Sequence, residues 1–369
     1  MQFLYQNAFL PVENPLLSEI NNAAIRLYSK LQMIDIESLD ISDYNKRYFG
    51  NNLKGLTQTL QKYSYILAWS VAELHKPINT CTILEYGGGS GILSLLAREL
   101  NFKVVIYNDI YEISCRDAKT IASSIGNEAD RYILGDIDDV ITFFQKNDIR
   151  CNSVVSYDVI EHIYDMGYFI KKIPELTDKK CSTIVMSSGA NSLNPLIVHN
   201  LKKRHVKAEF SDTDEYFGRK KRDALESYYS IRKRMIQRYA PDLSFFEIEV
   251  LATRTRGMIE RDIVSVVDNY KITKKFPKKP DHPTNTCDPF TGNWAEHLMD
   301  VYQLKDQLED AGFRSKIIPG YYGNPQKRGK FINHLIVPGV NTLINLPKCG
   351  IYLAPFFTLY GKMSDDDPD

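Results

Sequence analysis

Between Cys81 and Ser188 one pattern repeats five times: a short apolar segment, CTILEY, KVVIYND, DRYILGD, NSVVSYD and STIVMSS in turn, separated by longer stretches whose apolar residues fall three and four apart. Short runs rich in β-branched and aromatic residues read as buried strands, and the longer stretches read as amphipathic helices. Strict alternation leaves few ways to wind the chain, because parallel strands need a crossover and the crossover is right-handed. An α/β fold is expected, with a doubly wound parallel sheet built from residues 80–188.

The flanks differ in texture. Residues 1–79 hold two helical patterns, NPLLSEINNAAIRLYSKLQMI and NNLKGLTQTLQKYSYILAWSVAELHK, and read as a helical N-terminal cap. Residues 189–300 break the rhythm with a basic, Tyr-rich stretch and the Pro-rich KKFPKKPDHPTNTCDPFTGNW, and read as an insertion that caps the substrate. Residues 301–363 resume the pattern, with the helix of WAEHLMDVYQLKDQLEDAG and the closing strands FRSKIIP and IYLAPFFTLYGKM, and 364–369 read as a solvated tail.

Lys plus Arg equals Asp plus Glu at 46 each, so no global field steers the chain toward nucleic acid or an anionic membrane. The six cysteines have no close pairs, which fits neither a disulfide framework nor a zinc site and suits a reducing cytoplasm. No apolar run approaches bilayer-spanning length, so a cytoplasmic location is expected. No cluster of acids or histidines has ligand spacing, and no catalytic metal is expected.

The first strand runs into ILEYGGGSGI, with four glycines in five positions. A dinucleotide fingerprint wants Gly-x-Gly-x-x-Gly, and Ile92 stands where its third glycine would fall. Gly87, Gly89 and Gly91 instead suit a ligand without phosphates, with Glu85 placed to accept bonds from a cationic amine. Asp109 ends the second strand, where a carboxylate can hold both hydroxyls of a ribose, with Ile110 after it. Asp136 and Ile137 follow the third strand and suit an adenine amino group and ring face; the fourth strand, containing Ser156, runs into SYDVIEHI. Each acid also has a plain alternative as a helix cap.

Taken together, LEYGGGSG, YND, LGDI and SYDVIEHI resemble, in order and spacing, the motifs of class I S-adenosylmethionine-dependent methyltransferases. The resemblance implies a Rossmann-like seven-stranded sheet with closing antiparallel strands, and S-adenosyl-L-methionine as cofactor. It puts Glu85, Gly87, Gly89 and Gly91 on the methionine and ribose side, Asp109 and Ile110 at the ribose, and Asp136 and Ile137 at adenine, with Ser156 on the fourth strand lining the site. Departures are Tyr86, where a smaller apolar residue is usual, Gly88 in place of Cys or Ala, and the long insertion.

Methyl transfer to a hydroxyl asks for a base, and His162, just beyond the fourth strand, is the candidate catalytic residue; its alternative role is to orient that loop. His199, His205, His282 and His297 lie in the insertion and could complete the site. Residues 200–240 carry twelve Lys or Arg against six Asp or Glu, a field for a phosphorylated acceptor or else a solvated face. Arg254 and Arg256 alternate on what reads as a strand facing one cleft. The overall layout resembles enzymes that methylate sugars or natural products, which implies a small-molecule acceptor, with a saccharide or glycoconjugate hydroxyl foremost. An NAD(P)-dependent enzyme and a non-catalytic methyltransferase-like module are the alternatives. The Asn-Pro-Pro-Tyr type of clamp for an extruded base is absent, which disfavours a nucleic-acid acceptor, and self-association is left open.

Overall fold

The structure, a computed structural model, describes residues 2–4, 10, 16–74, 76–178, 182–212, 226–323, 331–346 and 349–363. The chain folds as two compact bodies, residues 1–160, 167–189 and 300–369 in one and residues 161–166 and 190–299 in the other.

The first body opens with three helices: α1 (Leu16–Gln32), α2 (Asp43–Lys54) and α3 (Leu56–Val71). In α1, Leu17, Ile20, Ala24, Leu27 and Leu31 recur every three or four residues and are buried. The sequence pattern over 51–76 reads as one helix, but Gly55 closes α2 and opens α3, splitting it. From Tyr63 to Val71 every residue of α3 is buried, so this helix is enclosed on all sides rather than on one face.

The sheet then builds in order: β1 (Thr82–Tyr86), α4 (Ile92–Glu99), β2 (Val104–Asp109), α5 (Glu112–Ser124), β3 (Arg131–Leu134), α6 (Ile137–Asn147), β4 (Ser153–Tyr157), α7 (Met166–Lys172) and β5 (Thr183–Ser188). The second body contributes α8 (Pro195–Phe210), α9 (Tyr228–Tyr239), α10 (Phe245–Arg254) and α11 (Glu260–Thr273); the first body is completed by α12 (Val301–Asp310), β6 (Phe313–Pro319), α13 (Phe331–Ile344) and β7 (Phe357–Met363). The seven strands lie in the order β3-β2-β1-β4-β5-β7-β6. Neighbours from β3 to β5 pair in parallel, while β7 is antiparallel to both β5 and β6. This is the doubly wound, Rossmann-like seven-stranded sheet, and β6 and β7 are its closing antiparallel pair.

Alternation along β1 shows the two layers. Glu85 accepts hydrogen bonds from Ser94 of α4, while Tyr86, one residue on, packs its ring 4.9 Å from Phe169 of α7 on the other face. The order of strands reverses at β1, between β2 and β4, so a crevice opens there beyond the strands' carboxyl ends.

Three local expectations are corrected. Arg254 and Arg256 are not on a strand: Arg254 ends α10 and Thr255 caps it. The helix read from WAEHLMDVYQLKDQLEDAG starts only at Val301, where the side chain of Asp300 accepts from the Tyr302 and Gln303 amides and fixes the start. A further helix, α13, stands between β6 and β7 and contains Pro338, which hides it from pattern reading. The tail 364–369, Cys181 and the basic segment 218–223 lie outside the described residues.

The second body has its own core, with Ile231, Ile236, Leu251, Ile263 and Val267 of α9, α10 and α11 packed together. Beside it Glu209 accepts from buried Arg232, from Arg256 at 3.1 Å and from Thr286 at 2.7 Å. An acid shared by two guanidiniums and a hydroxyl is fully hydrogen-bonded, the condition under which a charge tolerates burial.

Candidate functional site

The glycine loop follows β1, at the strand where the sheet order reverses. Gly87, Gly89 and Gly91 have φ of 72°, 54° and 75°, a region where side chains are strained. Gly88 is required for space: a Cβ there would lie 2.5 Å from Tyr107 Cε2, and one on Gly87 would lie 2.7 Å from both methyls of Val159. The loop is held from below by Gly88 N–H donating to Asn108 O at 2.8 Å and by the Tyr107 hydroxyl donating to Gly89 O at 2.7 Å. Ile92, where a dinucleotide fingerprint needs glycine, is buried in α4.

Asp109 is 6% exposed and sits at the end of β2. Its Oδ2 accepts from Gly89 N–H and its Oδ1 from Tyr111 N–H, both at 2.9 Å. These two bonds orient the carboxylate at the end of β2. The adjacent Ile110 is 61% exposed, an apolar side chain held open at the rim.

Glu85 is 5% exposed, and its Oε2 accepts from both the backbone N–H and the hydroxyl of Ser94. Burial pushes its carboxyl up to about 8, against the downward pull of those two bonds. Near neutrality Glu85 is therefore a neutral acid that fixes the first turn of α4, and its bonds are of the capping kind.

Asp136 is exposed and caps α6, its Oδ1 accepting from Asp138 N–H at 2.9 Å and Asp139 N–H at 3.3 Å, with the Asp139 side chain accepting in return from Asp136 N–H. Ile137 is buried as the first residue of α6. Ser156 is buried within β4, and its hydroxyl makes no hydrogen bond among the described residues. The structure thus joins the glycine loop to Asp109 by a direct bond and sets Glu85 against the same loop, its Cδ 2.9 Å from where a Gly88 Cβ would stand. Asp136, Ile137 and Ser156 stand on their own strand or helix start.

His162 ends a single 3-10 turn, Ile160–His162, and belongs to the second body. Its Nδ1 lies 2.9 Å from Trp294 O. A carbonyl only accepts, so Nδ1 carries a proton. Trp294 stacks on His297 at 4.1 Å and on Tyr164 at 6.0 Å. Burial holds His297 down at about 4, and it also lowers His205 and His282. His205 bonds Thr284 and Glu296 O through its two nitrogens, and His282 Nδ1 accepts from the Thr284 and Asn285 amides. These three histidines lie within the second body, and His199 is exposed on α8. Arg254 and Arg256 go to separate partners, Arg254 to Pro277 O and Arg256 to Glu209 and Pro283 O.

Three residues of the helical preface escape motif reading. Tyr48 of α2 lies over the loop, its Cε1 3.1 Å from where a Gly89 Cβ would stand. Asn52 donates to Ser90 Oγ at 3.1 Å. Tyr63 of α3 is buried, and burial first, then Tyr48, Glu85 and Asp158, raise its hydroxyl pKa. The signal available in the sequence is spacing: Tyr44, Tyr48 and Asn52 fall on one face of α2 at i, i+4 and i+8.

A cavity of about 250 Å³ occurs within the second body, lined by Ile236, Tyr239, Ile263, Val267 and Phe290 among others. None of the candidates drawn from sequence lines it. Among the described residues no cluster of His, Cys, Asp or Glu is arranged to hold a metal, and no helix is long and apolar enough to cross a membrane.

No family model matches the chain, and no curated protein does. Solved structures similar to parts of it include a SAM-dependent methyltransferase from Agrobacterium tumefaciens, at 15% identity over 31% of this chain and 40% of that one, with a TM-score of 0.27. A putative methyltransferase solved with the Haloferax volcanii Trm112 activator is 8% identical over 86% of this chain and 96% of that one, TM-score 0.40. The CurJ carbon methyltransferase is 10% identical over 95% of this chain and 69% of that one, TM-score 0.40. The chain spans less than two thirds of the Agrobacterium protein and of the Lactobacillus delbrueckii ribosomal protein L11 methylase, of which 60% is covered.

Proposed function

We propose that the chain is an S-adenosylmethionine-dependent methyltransferase acting on a hydroxyl of a small molecule. The observation that carries this is the bond from Gly89 N–H to Asp109, which ties a side-chain-free loop after β1 to an acid after β2, at the point where the sheet reverses. A loop this bare leaves room for a ligand to approach the backbone, and the residues around it fit an adenosyl group. Asp109 would hold the ribose hydroxyls beside the open Ile110, Asp136 and Ile137 would face the adenine, and Gly87, Gly89 and Gly91 would run along the methionine side. Glu85, a neutral acid without a ligand, would ionise as the cationic amine arrives, since an opposite charge lowers a carboxyl's pKa, and would meet it through Oε1, which makes no hydrogen bond among the described residues. Ser156 lies on the next strand of the same rim.

When bound, the cofactor supplies an electrophilic methyl group, and the protein's work is to align the acceptor, exclude water and take up a proton. His162 is proposed as the base, acting through Nε2 because Nδ1 is held as a donor by Trp294 O. The acceptor is proposed as an uncharged one, such as a saccharide; four cations of the basic stretch are engaged in ion pairs, Arg204 with Glu296, Arg232 with Glu209, Lys233 with Glu249 and Arg234 with Glu226.

Calorimetric titration with S-adenosylhomocysteine tests the proposal. The wild-type chain should bind it, and Asp109→Ala should weaken binding at least about tenfold, as expected where a charged hydrogen-bond partner is removed. Binding of NADH with none of S-adenosylhomocysteine would refute the reading.

A further inference from the structure

The glycine loop is roofed by aromatic side chains whose position the proposed chemistry does not by itself require. Helix α2 is locked in place by buried Asp117 of α5, which accepts from the Ser42 amide at 2.9 Å, the Ser42 hydroxyl at 2.5 Å and Asn45 Nδ2 at 2.8 Å. From that anchor the helix sends Asn52 to Ser90 and lays Tyr48 against Gly89. Tyr44 stacks on Tyr48 with the two rings 6.0 Å apart and 6° from parallel, which limits the ring's orientation. Tyr63 comes from α3, its ring edge-on to Tyr157 at 5.6 Å, and its hydroxyl makes no hydrogen bond among the described residues. Burial first, and after it Tyr48, Glu85 and Asp158, raise the Tyr63 hydroxyl pKa. Asp158 is itself fixed by accepting from Gly189 N–H at 2.9 Å.

The Tyr48 ring of α2 thus lies on Gly89, while Glu85 of β1 lies against Gly88. A cation placed beside the Tyr48 ring gains from its negative face, and gains more as water is excluded. On the assignment of ribose to Asp109 and of the amine to Glu85, the atom between them is the sulfonium, and Gly89, which bonds Asp109, is the residue Tyr48 covers.

We propose that Tyr48 reads the positive charge of the sulfonium, so that the chain favours the charged methyl donor over its neutral demethylated product. The proposal rests on the cofactor reading above, and it makes the helical preface part of the cofactor site. Preference of this sign would ease product release.

The test compares calorimetric Kd values for S-adenosylmethionine and S-adenosylhomocysteine in three proteins: wild type, Tyr48→Ala and Tyr48→Phe. The readout is the ratio of the two Kd values, which a merely structural role would not move. Tyr48→Ala should lower the preference for the charged ligand about three- to tenfold. Tyr48→Phe keeps the ring and should stay within about twofold of wild type. Tyr48 is 40% exposed, so its loss should leave the fold intact, and Tyr48→Leu replaces Tyr48→Ala should the latter not fold. An unchanged ratio in Tyr48→Ala, or equal weakening of both ligands, overturns this proposal alone. Failure of the wild type to bind either ligand overturns the cofactor reading and this proposal with it.

Discussion

Glu85→Gln isolates the proton that the structure assigns to the floor of the site. The glutamine amide oxygen can accept the same two bonds from Ser94 and cannot ionise. In the folded wild type, burial raises the Glu85 pKa from 4.5 to about 8. A raised pKa means that the folded state holds a proton the unfolded state has released, so the associated stability is fully present below about 4.5 and is lost as pH rises through 8. One proton's difference changes stability by about 1.4 kcal/mol per pH unit, tapering near the folded pKa, so between pH 6.5 and 8 the expected loss is about 1.5 to 2 kcal/mol. Urea unfolding measures it. The chain has two bodies and two tryptophans, Trp69 in the body with Glu85 and Trp294 in the other, so fluorescence in a Trp294→Phe background follows the relevant transition. The wild type should lose about that much more than Glu85→Gln across the interval. Parallel pH profiles for the two proteins would show that Glu85 is already ionised in the folded chain, which would refute a protonated cap at the loop floor.

Two further outcomes are expected. His162→Ala should lower turnover about a hundredfold or more, the usual range for a general base, with S-adenosylhomocysteine affinity within about twofold of wild type; unchanged turnover removes His162 from the chemistry. His297 is held neutral at about 4, so its stabilising effect is present above the ordinary histidine pKa of 6.5 and is lost as pH falls from there toward 4. Acid unfolding of the second body, followed by Trp294 fluorescence, should cost about 2 to 3 kcal/mol across that window and flatten in His297→Phe; an unaltered profile would place the acid sensitivity elsewhere.

How much of the molecule is legible in its sequence depends on how local each cause is. The five parallel strands are readable because burial on both faces forces continuous apolar runs such as VVIY and TIVM, and the glycine loop is readable because Gly87 to Gly91 interrupts the first of them. The bond from Gly89 to Asp109 is implied only as nearness, since it depends on β2 lying beside β1 in register, with Glu85 opposite Tyr107. Glu85 as a protonated cap is out of reach, because its burial depends on α4 and Tyr107 closing around it. Tyr48 is out of reach for the same reason. Its spacing with Tyr44 marks a helix face, but the element that face meets is set by the bond between Ser42 and Asp117, 75 positions apart in the chain.

The placement of β7 has a consequence for assembly. β6 is made before it, yet among the described residues β6 has no neighbour in the sheet except β7, which wedges between β5 and β6 only after α13 has been traversed. During synthesis from the N-terminus, β1 to β5 can zip together early, while the outer edge of β5 stays bare and β6 waits as an orphan with its amides unpaired. Anything that stalls translation or clips the chain before Phe357 would therefore leave two sticky ribbons rather than one, and such fragments should be clients for chaperones or proteases.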